Sequence, residues 1–544
     1  MPAPGRPNET DNAAPHAGIA SALRVVASLT LVSRVTGLAR DAVCSRLFGA
    51  GPVWSAFAFA FLLPNLFRRL FGEGALAAAF LPEYSRVEHD AESARAFAGA
   101  VLRAVVMILL AVTLLGELVL LGLLMSPLAE AGGLAYRLAL LTLPFAPLVC
   151  GTAVMGAMLQ VRGRFAVPAA TPILVNLAII AAASTSGWIA GAEPERAILF
   201  VAAAVPLAGV LQFGLAWWRL GEHRPRLTAT AGGARDRVRR TIRRMAPVAV
   251  GMSALQINAL IDGLIASWPV LVGRGLPNWL GVEYPLDQAA NATLFFAQRV
   301  YQFPLGVFGI ALATAAFPAL ARTARQPRAY ALALGRSARM SLLIGVPASL
   351  GLALVSAPLV RTLYMGGAFS AQDAARVTRV LIGYAPAVWA FGLTHVLTRA
   401  FYARGDTATP MRVALVSIVC NTALSLTLIW WIQEAALAWS TSVCAIGQAL
   451  WLVRAESAAS GRAWSAGLAG AAARILVVTL AMVGAVLLAD AVITGASSAT
   501  GWGRDAARLT AMVAAGAVAY LVGARAMLPA ETRALFARSR EGHD

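Results

Sequence analysis

The chain has 544 residues, of which 59% are hydrophobic and 13% charged, with a mean hydropathy of +0.70. A soluble domain carries roughly 25% charge, so a soluble globular protein is excluded. Each bilayer crossing takes ~20 mostly apolar residues, and this length accommodates on the order of twelve to fifteen spanning helices, the size of a transporter. The net charge is +19, from 45 basic and 26 acidic residues, and every basic residue is arginine. A basic nucleic-acid domain is not this apolar, so no nucleic-acid partner is expected and the charge is read as a topology signal.

Residues 1–20 are polar and Pro-bearing, lack the basic and apolar regions of a cleaved signal, and are expected to form a disordered cytoplasmic tail. Hydropathy then predicts an all-α polytopic membrane protein of about 14 transmembrane helices. The first six cores lie near 22–47, 53–82, 98–126, 135–160, 168–191 and 196–218, an N-terminal six-helix lobe over 21–220. A basic cytoplasmic linker follows over 221–245. The next six, near 246–270, 288–318, 338–362, 376–402, 410–431 and 434–453, form a C-terminal lobe over 246–455. Two extra helices, near 468–493 and 506–527, occupy 464–528, and 529–544 is a second cytoplasmic tail.

Arginines alternate between successive loops. The connection after the sixth segment holds Arg219, Arg224, Arg226, Arg235, Arg237, Arg239, Arg240, Arg243 and Arg244, whereas the connection after the seventh holds Arg274. Arg162, Arg164, Arg322, Arg454 and Arg533 fall on the same side as the first group, a positive-inside pattern that predicts both termini in the cytoplasm. Trp54, Trp188, Trp217, Trp218, Trp268, Trp430 and Trp431 stand near segment ends and read as interfacial anchors. A weak internal repeat supports duplicated six-helix halves. Arg162-Gly163-x4-Pro168 recurs as Arg404-Gly405-x4-Pro410, and LAAAFLPEYSR at 76–86 is echoed by LATAAFPALAR at 312–322. Six crossings are an even number, so the pseudo-two-fold axis runs along the membrane normal and the expected binding cavity lies between the halves.

Charge inside the apolar segments carries the functional signal. Arg34, Arg40, Asp41 and Arg46 lie in the first segment, Arg68, Arg69 and Glu73 in the second, and Arg299 in the eighth. A charge at the bilayer centre costs ~2.5–3.5 kcal/mol on the mildest insertion scale, so these groups face a wet cavity or a partner. Arg69 and Glu73, at i and i+4, are spaced to pair. Guanidinium forks suit a phosphate or diphosphate, and an internal ion network that closes the cavity is the competing reading. The cysteines Cys44, Cys150, Cys420 and Cys444 show no ligand spacing, and His395 reads as a packed helix residue. Asp262 is a lone carboxylate in an apolar run, and with Asn421 and Thr441 it offers oxygens suited to Na+. The competing reading has Asp262 protonated, or hydrogen-bonded to neighbours such as Gln256 or Asn258.

The stretches SRVTGLARD, FGAG, LPNLFRRLFGEGALAAAFLP, RGRFAVPAATPILVN and QFPLGVFGIAL, in order along residues 30 to 454, resemble the MurJ (MviN) family of lipid II flippases within the MOP exporter superfamily. The resemblance implies two six-helix lobes and alternating access. The cargo it implies is undecaprenyl-diphosphate-linked peptidoglycan precursor, moved from the inner to the outer leaflet of the bacterial cytoplasmic membrane. It also implies that Arg34, Arg40, Arg68, Arg299 and Ser33 form the substrate site, that Asp41, Glu73 and Arg69 are charge partners near it, and that the two last helices form a groove for the lipid tail. In some members of the family a sodium site joins the three helices that carry Asp262, Asn421 and Thr441. Lipid II and membrane lipids are then the expected partners, with the cell-wall synthesis machinery beside them, and no cofactor is expected beyond Na+. Three positions depart from the family pattern: Ser55 stands where Asp is common, Leu62 where Lys is frequent, and Gln298 where Asp often precedes the arginine. Another exporter of the same superfamily is the alternative, for a lipid-linked oligosaccharide or as a drug/cation antiporter, the latter distinguished by cavity acids, and a transport-inactive partner-recruiting homologue is a further one. A membrane glycosyltransferase is disfavoured, because no DxD motif stands at the surface, so no enzyme is expected.

Overall fold

A computed structural model describes residues 13–68, 76–189, 193–227, 238–239, 254–274, 282–496 and 501–536. The described residues are mostly helical, and an isolated β-bridge joins Gly366 to Phe369. The chain divides into two compact units, Met1–Cys44 with Phe59–Gln256, and Ser45–Ala58 with Ile257–Asp544.

The first unit takes most of α1 (Ala13–Phe48) and α2 (Pro52–Phe67), then α3 (Leu76–Ser85), α4 (Ala91–Leu124), α5 (Ala129–Thr142), α6 (Phe145–Val161), α7 (Ala166–Ile189) and α8 (Pro194–Leu220). Asp90 starts α4 by accepting the Glu92 and Ser93 N–H groups at 3.1 and 3.3 Å. Pro144 bends the chain between α5 and α6, which together make one 33-residue apolar stretch. α6 is the buried helix, packed by α3, α4, α7 and α8. Its contact with α8 is close because small residues stand at the crossing: a Cβ on Gly209 would lie 2.7 Å from the Phe145 ring, and one on Gly151 2.8 Å from Phe213.

The second unit continues with α9 (Ala254–Leu271), α10 (Ala290–Pro304), a π turn over Leu305–Gly309, α11 (Ile310–Thr323), α12 (Pro327–Tyr364), α13 (Ala371–Tyr384), α14 (Ala387–Ala403), α15 (Ala408–Ile432) and α16 (Ala435–Ser460). Then come α17 (Leu468–Ala496), α18 (Trp502–Met527) and the short α19 (Pro529–Phe536). α14 is central, against α11, α12 and α16, with Leu334, Val396, Leu397 and Leu452 in the core. α17 and α18 pair with one another and both lean on α12, where Val355, Met482, Val486 and Met512 meet.

Outward faces are as apolar as the core, which is how a protein solvated by lipid is built. α4 exposes Met107, Leu115 and Leu118, and α17 exposes Leu480 and Leu488. Among the described residues ten helical stretches are long and apolar enough to span a bilayer. The first, second, seventh and eighth predicted segments fall on α1, α2 with α3, α9, and α10 with α11; these carry charge, are short, or are broken, α10 and α11 by Pro304 and the π turn.

The turn between α1 and α2 belongs to the second unit. The Ala368 N–H donates to the Arg46 carbonyl at 2.8 Å and the Ser45 hydroxyl to the Tyr364 carbonyl at 3.2 Å. Two glycines make the approach feasible: Gly49 (φ +66°) and Gly367 (φ +59°), where a Cβ would fall 2.7 Å from the Ala368 oxygen and 2.2 Å from the Arg46 oxygen. Trp54 corrects the expectation of an interfacial anchor. It is fully buried, ring against ring with Phe48, Phe57, Phe295 and Phe296. Trp218 and Trp431, 63% and 74% exposed, do stand at outward helix ends.

Candidate substrate and ion sites

α1 carries Ser33, Arg34, Arg40 and Asp41 within the first unit. Arg40 is buried, and its Nε donates to Asp41 Oδ1 at 2.9 Å while Nη1 donates to Asn176 Oδ1 at 3.2 Å. Asn176, on α7, returns its amide hydrogens to the Ser33 carbonyl at 3.1 Å and the Thr36 hydroxyl at 3.2 Å. Ser33, Thr36, Arg40, Asp41 and Asn176 are therefore one network, buried at Arg40, Asp41 and Asn176, the arrangement that makes an embedded guanidinium tolerable. Arg34, half-buried and nearly two turns before Arg40, makes no ion pair or side-chain hydrogen bond among the described residues. Arg68 follows Pro64 at the end of α2 and donates from Nε to Asn65 Oδ1 at 3.1 Å. Arg69 and Glu73, expected to pair, lie outside the described residues.

Arg299, in the second unit, lies on α10 just before Pro304 and the π turn, its guanidinium 4.8 Å from the centre of the Phe295 ring. Its neighbour Gln298 donates to the Tyr384 hydroxyl at 3.1 Å, and Tyr384 stacks on Tyr301 at 4.4 Å. Arginine on an aromatic face keeps its charge, and this contact orients the guanidinium plane.

Asp262, Asn421 and Thr441, on α9, α15 and α16, come together. Asn421 Nδ2 donates to Asp262 Oδ1 at 3.0 Å, and Thr441 Oγ1 donates to Oδ2 at 3.3 Å. Asn258, one turn before the carboxylate, donates to Oδ2 at 3.2 Å. All four are buried or half-buried, and Asn258 Oδ1, Asn421 Oδ1 and Ser425 Oγ are buried oxygens without a hydrogen-bond partner. The amides now turn nitrogen toward the carboxylate. An amide half-turn exchanges nitrogen for oxygen, and the set then offers a carboxylate, two amide oxygens and two hydroxyls around one negative charge, a donor set that fits a monovalent hard cation. Among the described residues no cluster of three His, Cys, Asp or Glu offers a competing transition-metal site.

A sequence profile described as "Lipid II flippase MurJ" matches residues 44–501. The chain belongs to the MurJ family of lipid II flippases. The protein of Vibrio cholerae named "Probable lipid II flippase MurJ" is 31% identical over 439 residues, covering 77% of this chain and 79% of that one. "Lipid II flippase MurJ" of Burkholderia cenocepacia is 31% identical over 408 residues, 72% and 75% of the two chains. Among solved structures, "Lipid II flippase MurJ, inward closed conformation" shares the fold at a TM-score of 0.72 and 21% identity, covering 92% of this chain and 98% of that one. A multidrug resistance MATE family transporter of the MOP superfamily, inward-facing, aligns at 0.63 and 15% identity over 80% of this chain and 98% of that one.

Within the MurJ fold the departure at Ser55 has a structural account. Its hydroxyl accepts the Ala292 N–H at 2.9 Å and its carbonyl accepts from the Asn291 amide at 3.2 Å, so it caps the first turn of α10, the helix of Arg299. Ser and Asp both serve at such an end. Gln298 donates to a phenol where an acid could only accept. Nothing in the structure explains Leu62. Sequence reasoning missed Asn176, although it ends the stretch RGRFAVPAATPILVN, and it missed a surface cluster. There Arg376 on α13 binds both oxygens of Asp287 at 2.8 and 2.9 Å and Glu434 Oε1 at 2.8 Å. Partial burial works against ionisation of Asp287, but the Arg376 hydrogen bonds and charge outweigh it and hold the carboxyl below its ordinary range.

Proposed function

We propose that this chain moves lipid II, a polyprenyl-diphosphate-linked peptidoglycan precursor, from the inner to the outer leaflet of the bacterial cytoplasmic membrane by alternating access, as a transporter and not an enzyme. Membership of the MurJ family carries the reading. The concentration of arginine in otherwise apolar helices supports it chemically, because a diphosphate supplies the charge that Asp41 does not. Arg34, Arg68 and Arg299 bind the diphosphate by charge-assisted bonds. Arg40, clasped by Asp41 and Asn176 in this conformation, joins them when that clasp opens, and Ser33 lies beside it. The Asp262, Asn421 and Thr441 oxygens take Na+ and couple its binding to the transport cycle. α17 and α18 offer their apolar faces to the lipid tail, both termini lie in the cytoplasm, and the cell-wall synthesis machinery takes up the product. The embedded arginines favour this reading over a drug/cation antiporter. Complementation of a conditional lipid II flippase depletion strain tests the function: growth and normal cell shape are the expected result, and lysis despite normal expression contradicts it.

A further inference from the structure

The repeated Arg-Gly steps close α6 and α14, two helices that run over Phe145–Val161 and Ala387–Ala403 at a constant offset of 242. In both, the glycine turns the chain with positive φ, +72° at Gly163 and +83° at Gly405. The arginines are not equivalent. Arg404 is neutralised inside the second unit, its Nη2 2.6 Å from Glu456 Oε2, while Tyr330 donates to Glu456 Oε1 at 2.9 Å and the guanidinium lies over the Tyr330 and Phe401 rings. Glu456 is wholly buried. The repeat offset of 240 to 242 at this helix carries Glu456 onto Ala216, Leu215 and Gly214, so the first unit has no carboxylate there. Arg162 makes no side-chain hydrogen bond or ion pair among the described residues; its Nε, like that of Arg404, is buried without a partner, so the difference between them is the missing carboxylate.

The surroundings of Arg162 are cationic and held in place. Arg162, Arg164 and Arg95 all act electrostatically on the His223 ring, with Glu222 the acid beside it. Arg164 donates to the Arg219 carbonyl at 2.9 Å and Arg95 to the Arg224 carbonyl at 3.1 Å. Such bonds fix guanidinium groups without cancelling their charge. The segment after α8 is seated on α4, the Arg226 N–H donating to the Arg95 carbonyl at 2.9 Å over Gly99, where a Cβ would lie 1.9 Å from the Arg226 oxygen. Trp217 and the outward Trp218, under the Arg224 and Arg219 guanidinium groups, mark this end as the headgroup level.

We propose that this end of the first unit binds the phosphate of an anionic phospholipid in the cytoplasmic leaflet, with Arg162 as its principal ligand and Arg164 and Arg95 beside it. The lipid phosphate supplies to Arg162 the neutralising charge that Glu456 supplies to Arg404 in the second unit. Phosphate matches the guanidinium fork, the cytoplasmic leaflet is rich in anionic headgroups, and the tryptophans favour a lipid over a free anion. The proposal uses none of the arginines of α1, α2 and α10, and it rests on the reading of this end as cytoplasmic.

The test is titration of the full-length protein with phosphatidylglycerol, followed by native mass spectrometry, in wild type, Arg162→Gln, the exposed Arg164→Gln, and Arg462→Gln as an equal loss of charge on the second unit. We expect Arg162→Gln to weaken the tightest phosphatidylglycerol site about tenfold, the size of one lost charge-assisted bond. Arg164→Gln weakens it to a smaller degree, Arg462→Gln leaves it unchanged, and neither phosphatidylcholine nor inorganic phosphate competes. Equal affinity in wild type, Arg162→Gln and Arg164→Gln overturns the site, and displacement of the lipid by millimolar phosphate overturns the assignment to a lipid.

Discussion

Polar side chains in apolar helices must find partners, and this rule decides what single residues reveal. Asp262, Asn421 and Thr441 are 159 and 179 positions apart in their hydrogen-bonded pairs; Asp262 stands out as a lone carboxylate in an apolar run, and the joining of the three helices was expected from the family resemblance. Asn176 was not, because nothing in the sequence links it to Arg40, 136 positions away. If the Asp262 set takes Na+, exchanging choline for sodium raises the melting temperature of wild type and not of Asp262→Asn. Sodium at 100 times its dissociation constant stabilises by about 2.7 kcal/mol, and an equal sodium response in the two proteins removes the ion site. The Asp287 and Arg376 pair carries a pH signature of definite sign. The folded-state pKa of Asp287 is depressed, so its contribution is present above the unfolded value near 3.8 and is lost as pH falls through the lower folded value. Acid melting curves of wild type and Asp287→Asn converge below that value; a constant gap from pH 7 to strongly acid solution excludes the linkage.

At the scale of elements, capping and close approach matter more than propensity. FGAG was legible as a motif, but the approach of its Gly49 to Ala368 was not, because the two segments are over 300 residues apart. Gly367→Ala meets both a positive φ and the Arg46 carbonyl, and we expect a loss of about 2 kcal/mol or more in thermal unfolding. Unchanged melting sets aside the glycine contact. Ser55→Ala removes the α10 cap and costs about 1 kcal/mol, while Ser55→Asp retains most of it. Equal melting of wild type and Ser55→Ala contradicts the capping role. Trp54 misled sequence reading for a physical reason: a tryptophan at a helix start looks the same whether it faces headgroups or a cluster of rings.

For the whole molecule, composition and hydropathy specify a polytopic helical membrane protein, and the alternation of arginine between loops is the signal from which its orientation is expected. The segments that deviate from a simple hydropathy window are those that carry charge or a break, because function and uniform apolarity compete within one helix. Assignment of residues 45–58 to the second unit was not legible, since the tip of a hairpin joins residues far along the chain. Reporter fusions at residues 230 and 278 are expected on opposite sides of the membrane, the first in the cytoplasm, and fusions on the same side reverse the topology. The central claim is that the embedded arginines carry the diphosphate of a lipid-linked precursor. The most direct measurement is flipping of a fluorescent lipid II by wild type, Arg34→Ala, Arg299→Ala and Arg299→Lys in proteoliposomes at matched reconstitution. The account predicts rates lowered about tenfold or more in the alanine variants, with partial activity in Arg299→Lys because charge remains but the fork is lost. Wild-type rates in both alanine variants would contradict it.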